Sequence, residues 1–243
     1  MPYKLVVFDM DGVLVNIDSS WVWVHDHFKV QNKQSVQEYL RGKIDDIELM
    51  KRDIELWLKR KKNIHISHIE KILSSAPIVK GGEETVRILK ANNIETVILT
   101  SGIDVLANIV GAKMGIEIIL ANGIEIDKNG YLTGRSIMRV ELKNKGIALQ
   151  ELISKMEFSP KECVAVGNGY SDVPMFKICG LGIAFNPADK TAKEEADIVI
   201  ESSNLTSILS YILKEDKNRQ TPSRIQRLNI TREANTNVGS TKR

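Results

Sequence analysis

The chain has 243 residues, of which 42% are hydrophobic and 27% charged, with a formal net charge of +3. That is one ordinary domain, or one domain carrying a sizeable insertion, and it excludes a wholly disordered chain. Residues 215–243 hold Lys217, Arg219, Arg224, Arg227, Arg232, Lys242 and Arg243 against Glu215, Asp216 and Glu233, a net +4 that leaves residues 1–214 at −1 and excludes a basic globular body.

In chain order, the first element is an apolar run, Lys4–Phe8, that predicts a strand. From about Ile17 to Ala76 the pattern turns helical, at 19–30, 33–41, 44–60 and 66–74, with no βα unit, and reads as a cap inserted after the first strand. Within it Trp21, Trp23 and Trp57, with Leu49, Ile54 and Leu58, supply a small core, though Trp21 or Trp23 could also stack on a ligand. His25, His27, His65 and His68 have spacings that fit no recognised metal site and read as solvated or capping residues. Pro77 and Gly81-Gly82 punctuate the return to alternating elements: a helix at 82–91, a strand at Glu95–Leu99 and a helix at 103–114. Lys128-Asn129-Gly130 marks a hairpin within Ile124–Gly134. Helices at 144–156, 172–179, 188–196 and 204–214 then alternate with strands at Cys163–Val166, Gly182–Phe185 and Ile198–Ile200.

The alternation predicts an α/β fold: a three-layer, Rossmann-like parallel sheet core over 1–16 and 77–214, a helical cap over 17–76, and a disordered basic tail over 215–243. No apolar run approaches the ~20 residues of a membrane helix, and the N-terminus turns acidic before a signal-peptide core could form. Cys163 and Cys179 sit in apolar contexts and provide no disulfide framework, so the expected compartment is the cytoplasm. The tail has no aromatic residue among its basic ones and reads as solvated chain, so no nucleic-acid partner is expected. The oligomeric state is not legible in the sequence.

The chemistry starts at Asp9-Met10-Asp11-Gly12. Two carboxylates two residues apart, at the carboxyl end of an apolar strand, are costly to pack, and that is where α/β sheets place ligands. A turn explains one aspartate but not both. Like charges this close push their pKa values apart, which suits a nucleophile beside an acid or base. Thr100 alone would read as a helix cap, and Lys145 alone as a solvated lysine.

Four motifs in order resemble the haloacid dehalogenase superfamily, and most closely its phosphoserine phosphatase branch: Asp9-Met10-Asp11-Gly12-Val13-Leu14-Val15, Leu99-Thr100-Ser101-Gly102, Lys143-Asn144-Lys145-Gly146 and Val166-Gly167-Asn168-Gly169-Tyr170-Ser171-Asp172. The resemblance covers residues 1–214. It implies a phosphomonoester hydrolase in which Asp9 is the nucleophile of an aspartyl-phosphate and Asp11 the general acid and base. It also implies a Mg²⁺ ion held by Asp9, the backbone of Asp11 and Asn168, with Asp172 behind them. Thr100 and the amides of Ser101 and Gly102, at a helix N-terminus, would hold the phosphoryl group, and Lys145 would neutralise it. The implied substrate is a small phosphorylated metabolite, with phosphoserine a candidate.

Three departures stand out. The acidic metal ligand of the fourth motif is Asn168, which brings no charge, and Asp172 could swing in to replace it in part. Position 12 is glycine where the branch usually has serine. In the cap, the glutamate that grips an amino group falls on Asp18, and the arginine that grips a carboxylate falls near Asp53, which leaves Arg52 one residue, about 100° of helix, out of register. Two further readings therefore stay open: a phosphotransferase or phosphomutase using the same intermediate, and a phospho-ligand binding module weakened at Asn168.

Overall fold

Four apolar residues in succession, Leu5–Phe8, form β1, and all four are fully buried. In the computed structural model, which describes residues 3–213, alternate side chains of β1 enter different layers. Val6 and Phe8 join the larger apolar cluster and Leu5 and Val7 the smaller one on the opposite face, as a strand covered on both sides requires. The expected tail at 215–243 lies outside the described residues.

Four helices follow: α1 (Ser20–Phe28), α2 (Lys33–Leu40), α3 (Asp46–Arg60) and α4 (Ile66–Leu73). After α5 (Gly82–Ala91) come β2 (Glu95–Ile103), α6 (Asp104–Met114) and the hairpin of β3 (Ile118–Ile126) and β4 (Leu132–Ile137). The second half runs α7 (Gly146–Lys155), β5 (Cys163–Gly167), α8 (Val173–Ile178), β6 (Leu181–Phe185), α9 (Lys190–Glu195), β7 (Ile198–Ile200) and α10 (Leu209–Ile212). The seven strands form one sheet in the order β4-β3-β2-β1-β5-β6-β7. Only the β3–β4 pair is antiparallel. Strand order reverses at β1, which opens a crevice at its carboxyl end. Among the described residues, no helix is long and apolar enough to cross a membrane.

Three elements differ from the sequence expectation. β3 begins at Ile118, six residues before the expected hairpin, and there pairs in parallel with β2. β2 continues past Leu99 to Ile103, because β3 keeps pairing with it through an irregularity and Ile103 lies opposite Asn122. The expected helix at 204–214 is split into a 3₁₀ turn, Leu205–Ile208, capped by Asn204, followed by the short α10.

The cap is not a detached body. Trp21, Val24, Phe28, Met50, Ile54 and Trp57 belong to the same apolar cluster as Phe8, Ile98 and Ile103 of the sheet. Trp57 is fully buried, stacks on Trp21 at 5.7 Å between ring centroids, and donates from Nε1 to His25 Nδ1 at 2.7 Å. His25 is itself buried, and its Nε2 meets Asp53 Oδ1 at 2.8 Å, while Asn32 also binds that oxygen. Because Nδ1 accepts from the indole, the Nε2 side of the ring is the one that faces Asp53. The expectation of a solvated or capping role thus fails at His25, whereas His65 does cap α4 by accepting from Ser67 N–H.

Replacing Trp57 with alanine empties the centre of the cap and strands His25 Nδ1. We expect a loss of about 3–5 kcal/mol in urea-denaturation stability, with Trp57→Phe retaining part of the packing but not the hydrogen bond.

Candidate active site

The crevice at the end of β1 collects the chemistry. Asp9 follows the strand and its N–H donates to Val166 O of β5 at 2.8 Å, extending the ladder by one residue. Lys145, at the N-terminus of α7, is 1% exposed. Its Nζ lies 2.6 Å from Asp9 Oδ1 and 2.7 Å from Asp172 Oδ1. Asp172 is fully buried, and its Oδ2 accepts the backbone N–H groups of Asn168 at 2.8 Å and Gly169 at 3.0 Å.

These positions set the charges. Burial presses Lys145 towards its neutral form, but the carboxylates of Asp172 and Asp9 outweigh it and hold the ammonium above lysine's ordinary range. Asp9 moves the other way. Burial, reinforced by the charge of Asp172, pushes its carboxyl up to about 7 against the pull of Lys145. Asp11 is also raised by burial, opposed by two hydrogen bonds into its Oδ2, from Ser20 N–H at 2.8 Å and Ser20 Oγ at 2.9 Å.

At the end of β2, Thr100 is buried and its Oγ1 accepts from Gly102 N–H at 3.0 Å. This corrects the expected anion site at a helix N-terminus. Ser101 and Gly102 lie in the strand, α6 starts only at Asp104, and the Gly102 amide is taken by Thr100. The Ser101 carbonyl accepts from Trp21 Nε1 and from Asn122 Nδ2, each at 3.2 Å. Trp21, considered as a stacking platform, is thus a buried tether between cap and core.

Asn168 follows β5, half-buried, and its side-chain amide lies against Gly12. Gly12 has φ +76°, a conformation that favours glycine, and a Cβ there would overlap Asn168 Nδ2. The two departures in motifs one and four are therefore in contact. The expectation that Asp172 swings in as a replacement metal ligand is also corrected: both of its oxygens are committed, one to Lys145 and one to two backbone amides.

The cap residues fall elsewhere. Asp18 is exposed. Arg52 turns away onto Glu38 at 2.6 Å and Glu48 at 2.8 Å. Asp53, at the position expected for an arginine, is buried against His25 and Asn32. Arg52, already out of register for a carboxylate grip, is held in two ion pairs within the cap. The cap meets the loop before Lys145 through Leu142 N–H on Asp46 Oδ2 at 2.8 Å and Lys143 Nζ on Tyr39 O at 3.1 Å, with that ammonium 3.9 Å over the Tyr39 ring.

Two residues missed in the sequence organise this site. Asn122, fully buried in β3, donates to Ser101 O and Val140 O and accepts from Arg139 N and Val140 N. An asparagine inside an apolar strand was the available signal. Ser20 reads locally as a helix-start residue, and nothing nearby in sequence reveals its contact with Asp11.

A haloacid dehalogenase-like hydrolase family model matches residues 3–180. The phosphoserine phosphatase of Methanocaldococcus jannaschii is 33% identical over 211 residues, 86% of this chain and 97% of that protein. That of Idiomarina loihiensis is 29% identical over 87% of this chain and 94% of its own length. Among solved structures, a substrate-bound phosphoserine phosphatase complex superposes with a TM-score of 0.73 at 30% identity, covering 87% of this chain and 99% of that one. A phospho-aspartyl intermediate analogue of phosphoserine phosphatase gives 0.72 at 30% identity, covering 87% of this chain and all of the other. The chain belongs to the haloacid dehalogenase superfamily, in its phosphoserine phosphatase branch. It is accordingly a phosphatase.

Phosphatases of this family in general use a divalent metal. Hard cations of this kind take oxygen ligands, and Mg²⁺ is commonly held by one or two carboxylates with waters and substrate oxygens. The residues present fit that need. Asp9 Oδ1, apart from its ion pair, and Asp11 Oδ1 are buried without hydrogen bonds, and the Asn168 amide lies against Gly12, the next residue of motif one. Among the described residues, no group of three or more acidic, histidine or cysteine side chains is set to hold a metal.

The raised Asp9 carboxyl has a consequence for stability. Its unfolded value is 3.8 and its folded value about 7, so stability present at low pH is lost as pH rises between the two and stays lost above them. Asp9→Asn, which removes that charge, should raise the melting temperature of the metal-free protein relative to wild type at pH 8, with the gain shrinking towards pH 4.

Proposed function

We propose that the protein is a Mg²⁺-dependent phosphomonoester hydrolase that acts on a small phosphorylated metabolite through an aspartyl-phosphate at Asp9. The observation that carries this reading is the buried Lys145 ammonium shared between Asp9 and Asp172 at the carboxyl end of β1. Lys145 occupies Asp9 Oδ1, which leaves Oδ2 to attack phosphorus. As that bond forms, the bond to the leaving oxygen breaks, and Asp11 gives the leaving oxygen its proton. Asp11 then takes a proton from water as the water oxygen attacks phosphorus and the bond to Asp9 breaks. Phosphate leaves and both aspartates are restored.

Thr100 contributes its hydroxyl proton. Because Oγ1 already accepts from Gly102, its O–H is left to donate to a phosphoryl oxygen. Lys145 offsets the repulsion between Asp9 and the incoming phosphate. Mg²⁺, held by the Asp9 carboxylate, the Asp11 backbone carbonyl and the Asn168 side-chain oxygen, would add positive charge at the transferring group. Asp172 acts through Lys145, by fixing the ammonium.

Phosphoserine leads the substrate panel because the relatives carry that name. The cap argues for breadth, since Arg52 is committed to two glutamates and Asp53 to His25. Phosphoserine, phosphoglycolate and sugar phosphates assayed with Mg²⁺ should reveal turnover that chelation with EDTA abolishes. Asp9→Asn should lower kcat by roughly 10³-fold or more, and unchanged activity in that variant would defeat the mechanism.

The neutral amide at 168 predicts weak metal binding. Asn168→Asp should tighten Mg²⁺ by about tenfold or more in a calorimetric titration, whereas equal affinity would show that position 168 does not ligate the ion.

A further inference from the structure

Ser20 is fully buried at the first position of α1, and three segments distant in sequence meet on it. Its N–H and its Oγ both reach Asp11 Oδ2, at 2.8 and 2.9 Å. The same Oγ accepts from Ile103 N–H at the end of β2, at 3.0 Å. An amide can only donate, so that bond occupies an acceptor position on the hydroxyl and leaves its single proton for Asp11. The neighbouring Ser19 makes no side-chain cap to α1. The first free N–H of the helix is satisfied from outside, by Asp11.

The two oxygens of Asp11 are therefore unequal. Oδ2 carries both bonds from Ser20, whereas Oδ1 is buried with no hydrogen-bond partner. The packing leaves little room for another arrangement. A Cβ at Gly102 would lie 2.7 Å from Ser20 Oγ, 2.8 Å from Asp11 Oδ2 and 2.7 Å from Met10 Cε, so the absent side chain is what lets β2 approach this junction.

We infer that Ser20 is a positioning residue that clamps Asp11 by Oδ2 to the cap helix and to the end of β2, so that Oδ1 is the oxygen presented for proton transfer to the leaving group. This rests on the reading above, in which Asp11 is the general acid. Acting from the first turn of the cap, Ser20 sets the acid in place only while α1 is seated on β2. The Trp21–Ser101 hydrogen bond one residue on holds that seat.

The test exploits leaving-group chemistry. An alkoxide needs a proton in order to leave, whereas p-nitrophenolate is stable enough to leave without one. Wild type and Ser20→Ala are compared on an alkyl phosphate and on p-nitrophenyl phosphate, with thermal melts to confirm folding. Ser20→Ala should lose about 10- to 100-fold in the single-turnover rate of alcohol release from the alkyl ester but no more than roughly threefold in the p-nitrophenolate burst, both of which precede the hydrolysis in which Asp11 serves as base. Ser20→Cys, similar in volume but a weak donor, gives the same contrast should the alanine variant fold poorly. Equal losses on the two esters, or no loss on either, would overturn the assignment of Ser20. If wild type itself hydrolyses neither ester, the reading of Asp11 fails first and takes this inference with it, and that result is plain from the wild-type rates alone.

Discussion

One ammonium with almost no access to water governs the active site. Lys145 sits between two carboxylates within 2.7 Å of each, and neither neighbour could be buried as an anion without it. Asp172 is the stronger anchor, because two backbone amides hold its second oxygen. Asp9 is paired with the ammonium alone, and burial together with the charge of Asp172 raises its carboxyl against that pull. The two carboxylates are therefore unequal: Asp172 has both oxygens occupied, and Asp9 has the ammonium alone.

The fold brings these groups together with short reaches. β1 lies between β2 and β5, so Asp9, Thr100 and Asn168 emerge side by side at three adjacent strand ends. Lys145 comes from a different quarter, and its loop is placed by Asn122 from below and by Asp46 and Tyr39 of the cap from above. The cap thus helps to place the loop that carries Lys145.

Most of the sheet was legible because buried parallel strands appear as uninterrupted apolar runs, as at Leu5–Phe8 and Cys163–Gly167. The motif residues were legible because paired acids at a strand end have few structural uses. What escaped was set by contacts between distant segments. Ser20 and Ile103 are 83 residues apart, and Trp21 and Ser101 are 80 apart, so no local pattern announces either bond. The end of β2 was misread because pairing with β3 carried the strand past its apolar run. Register against the resemblance put Asp53 at the arginine position and left Arg52 one residue out of phase, and Arg52 pairs with Glu38 and Glu48. Asp53 and His25 form a buried polar pair that only the folded cap can satisfy.

The contact between Gly12 and Asn168 bears on how such a site can change over generations. Because the Asn168 amide occupies the space that any side chain at position 12 would need, the two positions form one steric unit although they lie on different strand ends. A lineage acquiring a side chain at 12 must also turn aside or shorten the side chain at 168. A change at 168, by contrast, meets no such barrier while glycine remains. The order of substitution is therefore constrained, and the glycine keeps the wider set of side chains open at position 168.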